Sequence, residues 1–149
     1  MPALDGATAW LNGSQDDTLE HTKGKPTLVH FWAVSCGICK EKMPALAELK
    51  AKYEPQGLEV ISVHMPRYEA DTDMDMVNEA MHVNNINEPT AVDNLHKLRD
   101  AFQNEQGWVP VYYLFDAEGK LKTRAAGEYG IGILTTALDK MFTPAAAAA

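Results

Sequence analysis

The sequence predicts an α/β domain: a mixed sheet of four or five strands with helices on both faces. Three observations carry this. Extended runs rich in β-branched and aromatic residues alternate with helical stretches through the first two thirds of the chain, which implies parallel strands joined by right-handed crossovers. A hairpin signal, Asp116-Ala117-Glu118-Gly119 between two extended runs, adds antiparallel pairing at one side. The length of 149 residues suits one domain with its own core. We expect residues 1–144 to form that domain, with 1–24 a weakly patterned N-terminal extension and 145–149 a disordered alanine tail.

In chain order, Trp10-Leu11 is a candidate short strand, and Asp16-Asp17 precede a helical turn around Leu19. Lys23-Gly24-Lys25-Pro26 is a turn. Thr27–Val34 has the uncharged composition of a central strand buried on both faces. Gly37–Tyr53 is a helix, with Met43, Leu46, Leu49 and Tyr53 recurring at helical spacing; Pro44 should kink it and Gly57 ends it. Leu58–His64 is the second strand of the core. Asp71 or Thr72 caps a helix to about Asn84 with a Met74, Val77, Met81 stripe. Pro89–Val92 is a short strand, and Asp93 caps a helix containing Leu95, Leu98 and Phe102. Val111–Phe115 and Lys120–Ala125 are the hairpin strands, and Tyr129–Phe142 is the last helix, with Ile131, Leu134, Leu138 and Met141 inward.

Composition narrows the function classes. Apolar residues at 46% and charged residues at 23% exclude a disordered or low-complexity chain. Thirteen Lys+Arg against 21 Asp+Glu give a net charge of −8, which provides no attraction to nucleic acid or an anionic membrane surface. No run approaches the ~20 residues of a spanning helix. Asp5, Asp16, Asp17 and Glu20 interrupt the first thirty residues, so we expect no signal peptide and a cytoplasmic location. The alternative is an extracytoplasmic or periplasmic one, if an export signal or anchor has been removed.

The chain has two cysteines, Cys36 and Cys39, too few for a disulfide scaffold or a four-cysteine zinc site. Cys36-Gly37-Ile38-Cys39 lies where the central strand hands over to a helix, at the carboxyl end of a strand where open α/β sheets bind ligands. Two intervening residues bring both sulfurs to one side of the first helical turn. Cys36, at the helix N-terminus, is favoured as a thiolate and expected to be exposed; Cys39, one turn in, is expected to be shielded. An exposed thiolate that attacks and a shielded thiol that resolves suit thiol–disulfide exchange. The competing readings are two packing cysteines or half a metal site; a c-type haem attachment would need His where Lys40 stands.

Lys25–Ala33, Cys36-Gly37-Ile38-Cys39 and Glu41-Lys42-Met43-Pro44, with Val109-Pro110 and the strand after it, resemble the thioredoxin superfamily, more narrowly the TlpA/ResA-like thiol–disulfide oxidoreductases. Glu88-Pro89-Thr90-Ala91-Val92-Asp93-Asn94 resembles the DipZ-like subgroup. The resemblance implies a thioredoxin fold with an insertion after the second core strand. It also implies a cis Pro110 that faces the cysteines and shapes the substrate site. The chain departs from the family pattern at Ser35, where Trp is usual, at Ile38, where Pro is usual, and at Lys42, where an acid is usual with Glu41 adjacent. Position 30, Asn or Asp in the family, is His30.

These readings give Cys36, Cys39, Pro110 and His30 as catalytic candidates, and Ser35, Gly37, Ile38, Trp108 and Val109 as substrate-binding candidates. His30 shares a strand face with Leu28 and Trp32; it is either a packing residue or the proton acceptor for Cys39, with Glu41 next in line. Trp108 either flanks the substrate or covers the core. Met65, Met74, Met76 and Met81 with His64 and His82 have copper-binding side chains, but helical spacing favours a core stripe. We expect no metal and no bound cofactor beyond the redox-active disulfide. The expected partners are protein thiol or disulfide substrates and an electron donor, acting on a monomer. A binding module on the same fold, or a soft-metal chaperone, is the alternative.

Overall fold

The computed structural model describes residues 1–143, so the alanine run 145–149 lies outside the described residues. The sheet has six strands in the order β1-β4-β3-β2-β5-β6, one more than the four or five expected. The strands are β1 (Ala9–Leu11), β2 (Thr27–Trp32), β3 (Glu59–His64), β4 (Thr90–Val92), β5 (Val111–Phe115) and β6 (Leu121–Ala126). The extra strand comes from the weakly patterned N-terminus: Ala9, Trp10 and Leu11 pair antiparallel with Val92, Ala91 and Thr90. The sequence offers Trp10-Leu11 as a candidate strand, and the pairing extends it by one residue to Ala9.

β2 is central and wholly buried. It pairs parallel with β3 and antiparallel with β5, and every residue from Thr27 to Phe31 has a partner on both sides. The helices are α1 (Gln15–Thr22), α2 (Gly37–Tyr53), α3 (Met74–Val83), α4 (Lys97–Ala101) and α5 (Gly130–Phe142). The segment between β3 and α4 contributes a 3₁₀ turn at Glu69–Thr72, α3 and β4, and β4 enters the sheet beside β3. α2 runs unbroken through Pro44, whose missing N–H costs one bond to the turn before it. The chain leaves the short turn after α2 at Gly57, where φ is +110° and a residue without a side chain is favoured.

Two local expectations are corrected. The cap of α3 is Asp73, whose carboxylate accepts the Asp75 and Met76 N–H groups, rather than Asp71 or Thr72. Asp71 is committed elsewhere, as described below. α4 begins only at Lys97, because His96 adopts φ +59°, and Leu95 is exposed instead of inward. Asp93 still serves the helix start from a distance, accepting the Leu98 and Arg99 N–H groups at 2.9 Å each.

The sheet separates two cores, and β2 feeds both by alternation. Leu28 and Trp32 join Met43, Leu46 and Leu49 of α2, Val77 and Met81 of α3, and Leu134 and Leu138 of α5. Val29 and Phe31 point the other way, toward Ile61, Val63, Leu98, Phe102, Tyr113 and Phe115. Met81 and Met65 belong to opposite cores and Met76 is exposed, so the methionines with His64 and His82 form no common ligand set.

Candidate active site

β2 ends at Trp32, and the Cys36 N–H donates to the Ala33 carbonyl at 3.0 Å in the turn that follows. α2 starts at Gly37 with Cys36 as its N-cap, and Cys36 Sγ accepts the Cys39 N–H at 3.0 Å. The two cysteines are joined by a disulfide, with their Cα atoms 5.3 Å apart. At the N-cap the unpaired N–H groups and the positive end of the helix dipole meet at the Cys36 sulfur, an environment that stabilises a thiolate.

The expected contrast between an exposed Cys36 and a shielded Cys39 is corrected: they are 3% and 2% exposed. Bonded to each other, both sit in the core cluster of α2 and α5. Any difference in their reactivity therefore arises from position on the helix, not from exposure in the disulfide form. The residues around them are open. Ser35 and Gly37 are exposed, Ile38 is 41% exposed, and nothing occupies the space a side chain would take at Gly37.

Pro110 directly precedes β5, and Val111 pairs with Phe31. That register places Pro110 at the end of β2 from which the cysteine loop departs. The Val109–Pro110 bond is cis. Val109 is half-buried and touches both cores, and Trp108 is 52% exposed. Trp108 is held by Asn104, whose Nδ2 donates to its carbonyl at 3.0 Å and whose Oδ1 accepts its N–H at 3.3 Å.

His30 lies on the cysteine face of the sheet, as alternation requires, and is buried. Its Nε2 is 2.6 Å from Glu88 Oε1, and Lys50 of α2 donates to Glu88 Oε2 at 2.9 Å. Burial alone would raise the Glu88 pKa. The hydrogen bond from His30, together with Lys50, outweighs it and brings the carboxyl down to about 2. Glu88 and Lys50 also line a surface cleft of about 530 Å³. Neither residue stood out in the sequence as part of the site: Glu88 precedes a proline at a strand start, and Lys50 is one lysine of several on α2. Glu41, the next candidate as acceptor, is exposed, and Lys42 is half-buried.

A second polar cluster sits on the other side of the cysteine loop. Asp71 is buried and accepts Ser35 Oγ–H at 2.7 Å, the Arg67 N–H at 2.9 Å and the Tyr68 N–H at 3.2 Å. Burial opposes its charge, but these three donors hold the carboxyl below its ordinary range. Arg67 reaches over Ser35, with Nε 3.2 Å from Ser35 Oγ and Nη2 2.8 Å from the Ser35 carbonyl oxygen. His64, at the end of β3, accepts the Val34 N–H on Nε2 at 3.1 Å, and burial brings its pKa down to about 4, so it is neutral. Among the described residues no three His, Cys, Asp or Glu side chains converge as metal ligands, and no helix is long and apolar enough to cross a membrane.

The AhpC/TSA family model matches residues 6–124. The thiol-disulfide oxidoreductase YkuV of Bacillus subtilis is 45% identical over 142 residues, 95% of this chain and 93% of that protein. The thiol-disulfide oxidoreductase ResA of Bacillus cereus is 29% identical over 110 residues, 74% of this chain and 60% of that protein. Among solved structures, a thioredoxin-like protein in its oxidised form superposes with a TM-score of 0.83 at 42% identity, covering 95% of this chain and 93% of the other.

Proposed function

We propose, from the premise that the chain belongs to the AhpC/TSA family and is a thioredoxin-fold thiol–disulfide oxidoreductase, that Cys36 is its attacking thiol and Cys39 its resolving one. The observation that carries this division is the place of Cys36 at the N-cap of α2, with its sulfur accepting a helix N–H. In the reducing direction the Cys36 thiolate attacks a substrate disulfide. A Cys36–substrate bond forms, the substrate S–S bond breaks, and one substrate sulfur leaves as thiolate. Cys39 then loses its proton and attacks the Cys36 sulfur. The intramolecular disulfide forms, the second substrate sulfur leaves, and two electrons have passed to the substrate. Run backwards, the same steps oxidise a dithiol.

The proton of Cys39 needs a destination, because its buried site disfavours a thiolate. We assign it to His30. With the Nε2–H donated to Glu88, Nδ1 is the nitrogen left to take a proton, and the Glu88 carboxylate fixes that tautomer and balances the imidazolium once formed. Lys50 keeps Glu88 ionised, and the cleft beside the pair gives the proton a way to solvent. Exposed Ser35, Gly37, Ile38 and Trp108, with Val109 and Pro110, are assigned to the surface that receives an extended protein substrate. The resident redox group is the disulfide itself; no further cofactor is assigned. An electron donor must reduce it between turnovers, and the chain acts as a monomer.

The test is trapping with a disulfide-containing protein substrate. Cys39→Ser should accumulate a mixed disulfide on Cys36, and Cys36→Ser should accumulate none. A mixed disulfide on Cys39 in the Cys36→Ser protein, at a rate matching the other variant, would reverse the assignment.

A further inference from the structure

We propose that Arg67 is a positioning residue for the nucleophile, an exposed cation latched onto Ser35 so that its charge lowers the Cys36 thiol pKa. This rests on Cys36 being the attacking thiol. The residue before the first cysteine is Ser35, small enough to leave its carbonyl and hydroxyl open to the segment after β3. Both are used. The guanidinium donates to the Ser35 carbonyl at 2.8 Å and to Ser35 Oγ at 3.2 Å, so the charge is held one peptide unit from Cys36. Asp71 makes that position reproducible. It accepts hydrogen bonds from the Ser35 hydroxyl and the Arg67 backbone N–H, tying both ends of the latch to one buried carboxylate.

Other charges near the loop do not supply the same field. Asp71 is an anion whose field opposes that of Arg67, and the three hydrogen bonds it accepts from Ser35, Arg67 and Tyr68 partly offset it. His64 beneath Val34 is neutral. Lys40 is exposed, on the first turn of α2. On the sheet side, Glu88 is matched by His30 and Lys50. The loop carrying Val109 brings Glu105, whose charge is felt at Tyr113 beside Arg124. Arg67 is thus the cation whose position is fixed by direct bonds to the residue next to Cys36. A positive charge there favours the thiolate over the thiol, and so the dithiol form over the disulfide.

The experiment is the pH dependence of iodoacetamide alkylation of the reduced, full-length protein between pH 4 and 9, with the modified cysteine identified by mass spectrometry. Arg67→Ala should raise the apparent Cys36 pKa by about one unit. Arg67→Lys should restore most of the shift, Ser35→Ala should give a smaller rise, and salt should shrink the difference between wild type and Arg67→Ala. Arg67 is exposed, so the variants should fold, and far-UV circular dichroism checks this. An unchanged pKa in Arg67→Ala overturns the proposal. So do equal shifts in Arg67→Ala and Arg67→Lys, which would indicate altered loop shape and not charge. Alkylation mapping to Cys39 in the wild type would overturn the division of labour beneath it.

Discussion

The two faces of the sheet are built from the same strand and differ in kind. On one face Val29 and Phe31 meet Phe102, Tyr113 and Phe115, with ring centroids 5.2 to 6.1 Å apart in edge-to-face pairs. On the other, Leu28 and Trp32 flank His30, and the core around them holds the cysteine pair and a buried ion-paired carboxylate. The aromatic face gains stability from area and geometry. The cysteine face carries charge that costs desolvation and stabilises only when every partner is in place. The cysteine pair thus sits on one face, and the other packs β2 against a wholly apolar and aromatic core.

The largest expected effect sharpens this contrast on the aromatic side. Phe31→Ala should destabilise the fold by about 3–5 kcal/mol in denaturant titrations, since it removes the ring that Phe102 and Tyr113 both pack against. The disulfide exchange rate per folded molecule should remain near wild type. A rate that fell in step with stability would mean the faces are not separable.

Next in size is the acid response of the other face. The Glu88 pKa is depressed, so the stability it contributes is full above the ordinary carboxyl pKa and is lost as pH falls from about 4.5 toward about 2. We expect a loss of a few kcal/mol across that window in the wild type and a flatter profile in Glu88→Gln. Parallel profiles would show that the pair does not hold the cysteine face together. A smaller effect is expected at Ile38. Its N–H is one more donor near the sulfurs that Pro would lack, so Ile38→Pro should make the couple more reducing by roughly 10–30 mV, the equivalent of about one hydrogen bond. A shift toward a stronger oxidant would give the argument the wrong sign.

The two faces also differ in how well the sequence reveals them. Uncharged β2, the helix from Gly37 to Tyr53 and the strand Val111–Phe115 are legible because burial on both faces and helical spacing leave strong local patterns. The cysteines were legible from their place at a strand–helix junction, and His30 from alternation along β2. What was not legible is what reaches those residues from a distance. Glu88 lies 58 residues from His30 and Asp71 lies 36 from Ser35, so neither contact leaves a local periodicity. The start of α4 is illegible for the same reason, since a left-handed His96 is settled by tertiary contacts, whereas Trp10-Leu11 is a candidate strand in the sequence and lies in β1. The exposure contrast between the cysteines failed because helix position was read as solvent access, and the disulfide form buries both.

The central claim is that the charged cluster on the cysteine face serves the resolving step. Stopped-flow reduction of a disulfide substrate from pH 5 to 9, comparing wild type with His30→Ala, tests it most directly. We predict that the first attack by Cys36 keeps nearly its wild-type rate, while resolution of the mixed disulfide slows by about 10²–10⁴-fold and changes its pH profile. A resolving step with unchanged rate and pH profile would contradict the claim, leaving His30 and Glu88 as packing residues and placing the proton's acceptor elsewhere, with Glu41 the next to test.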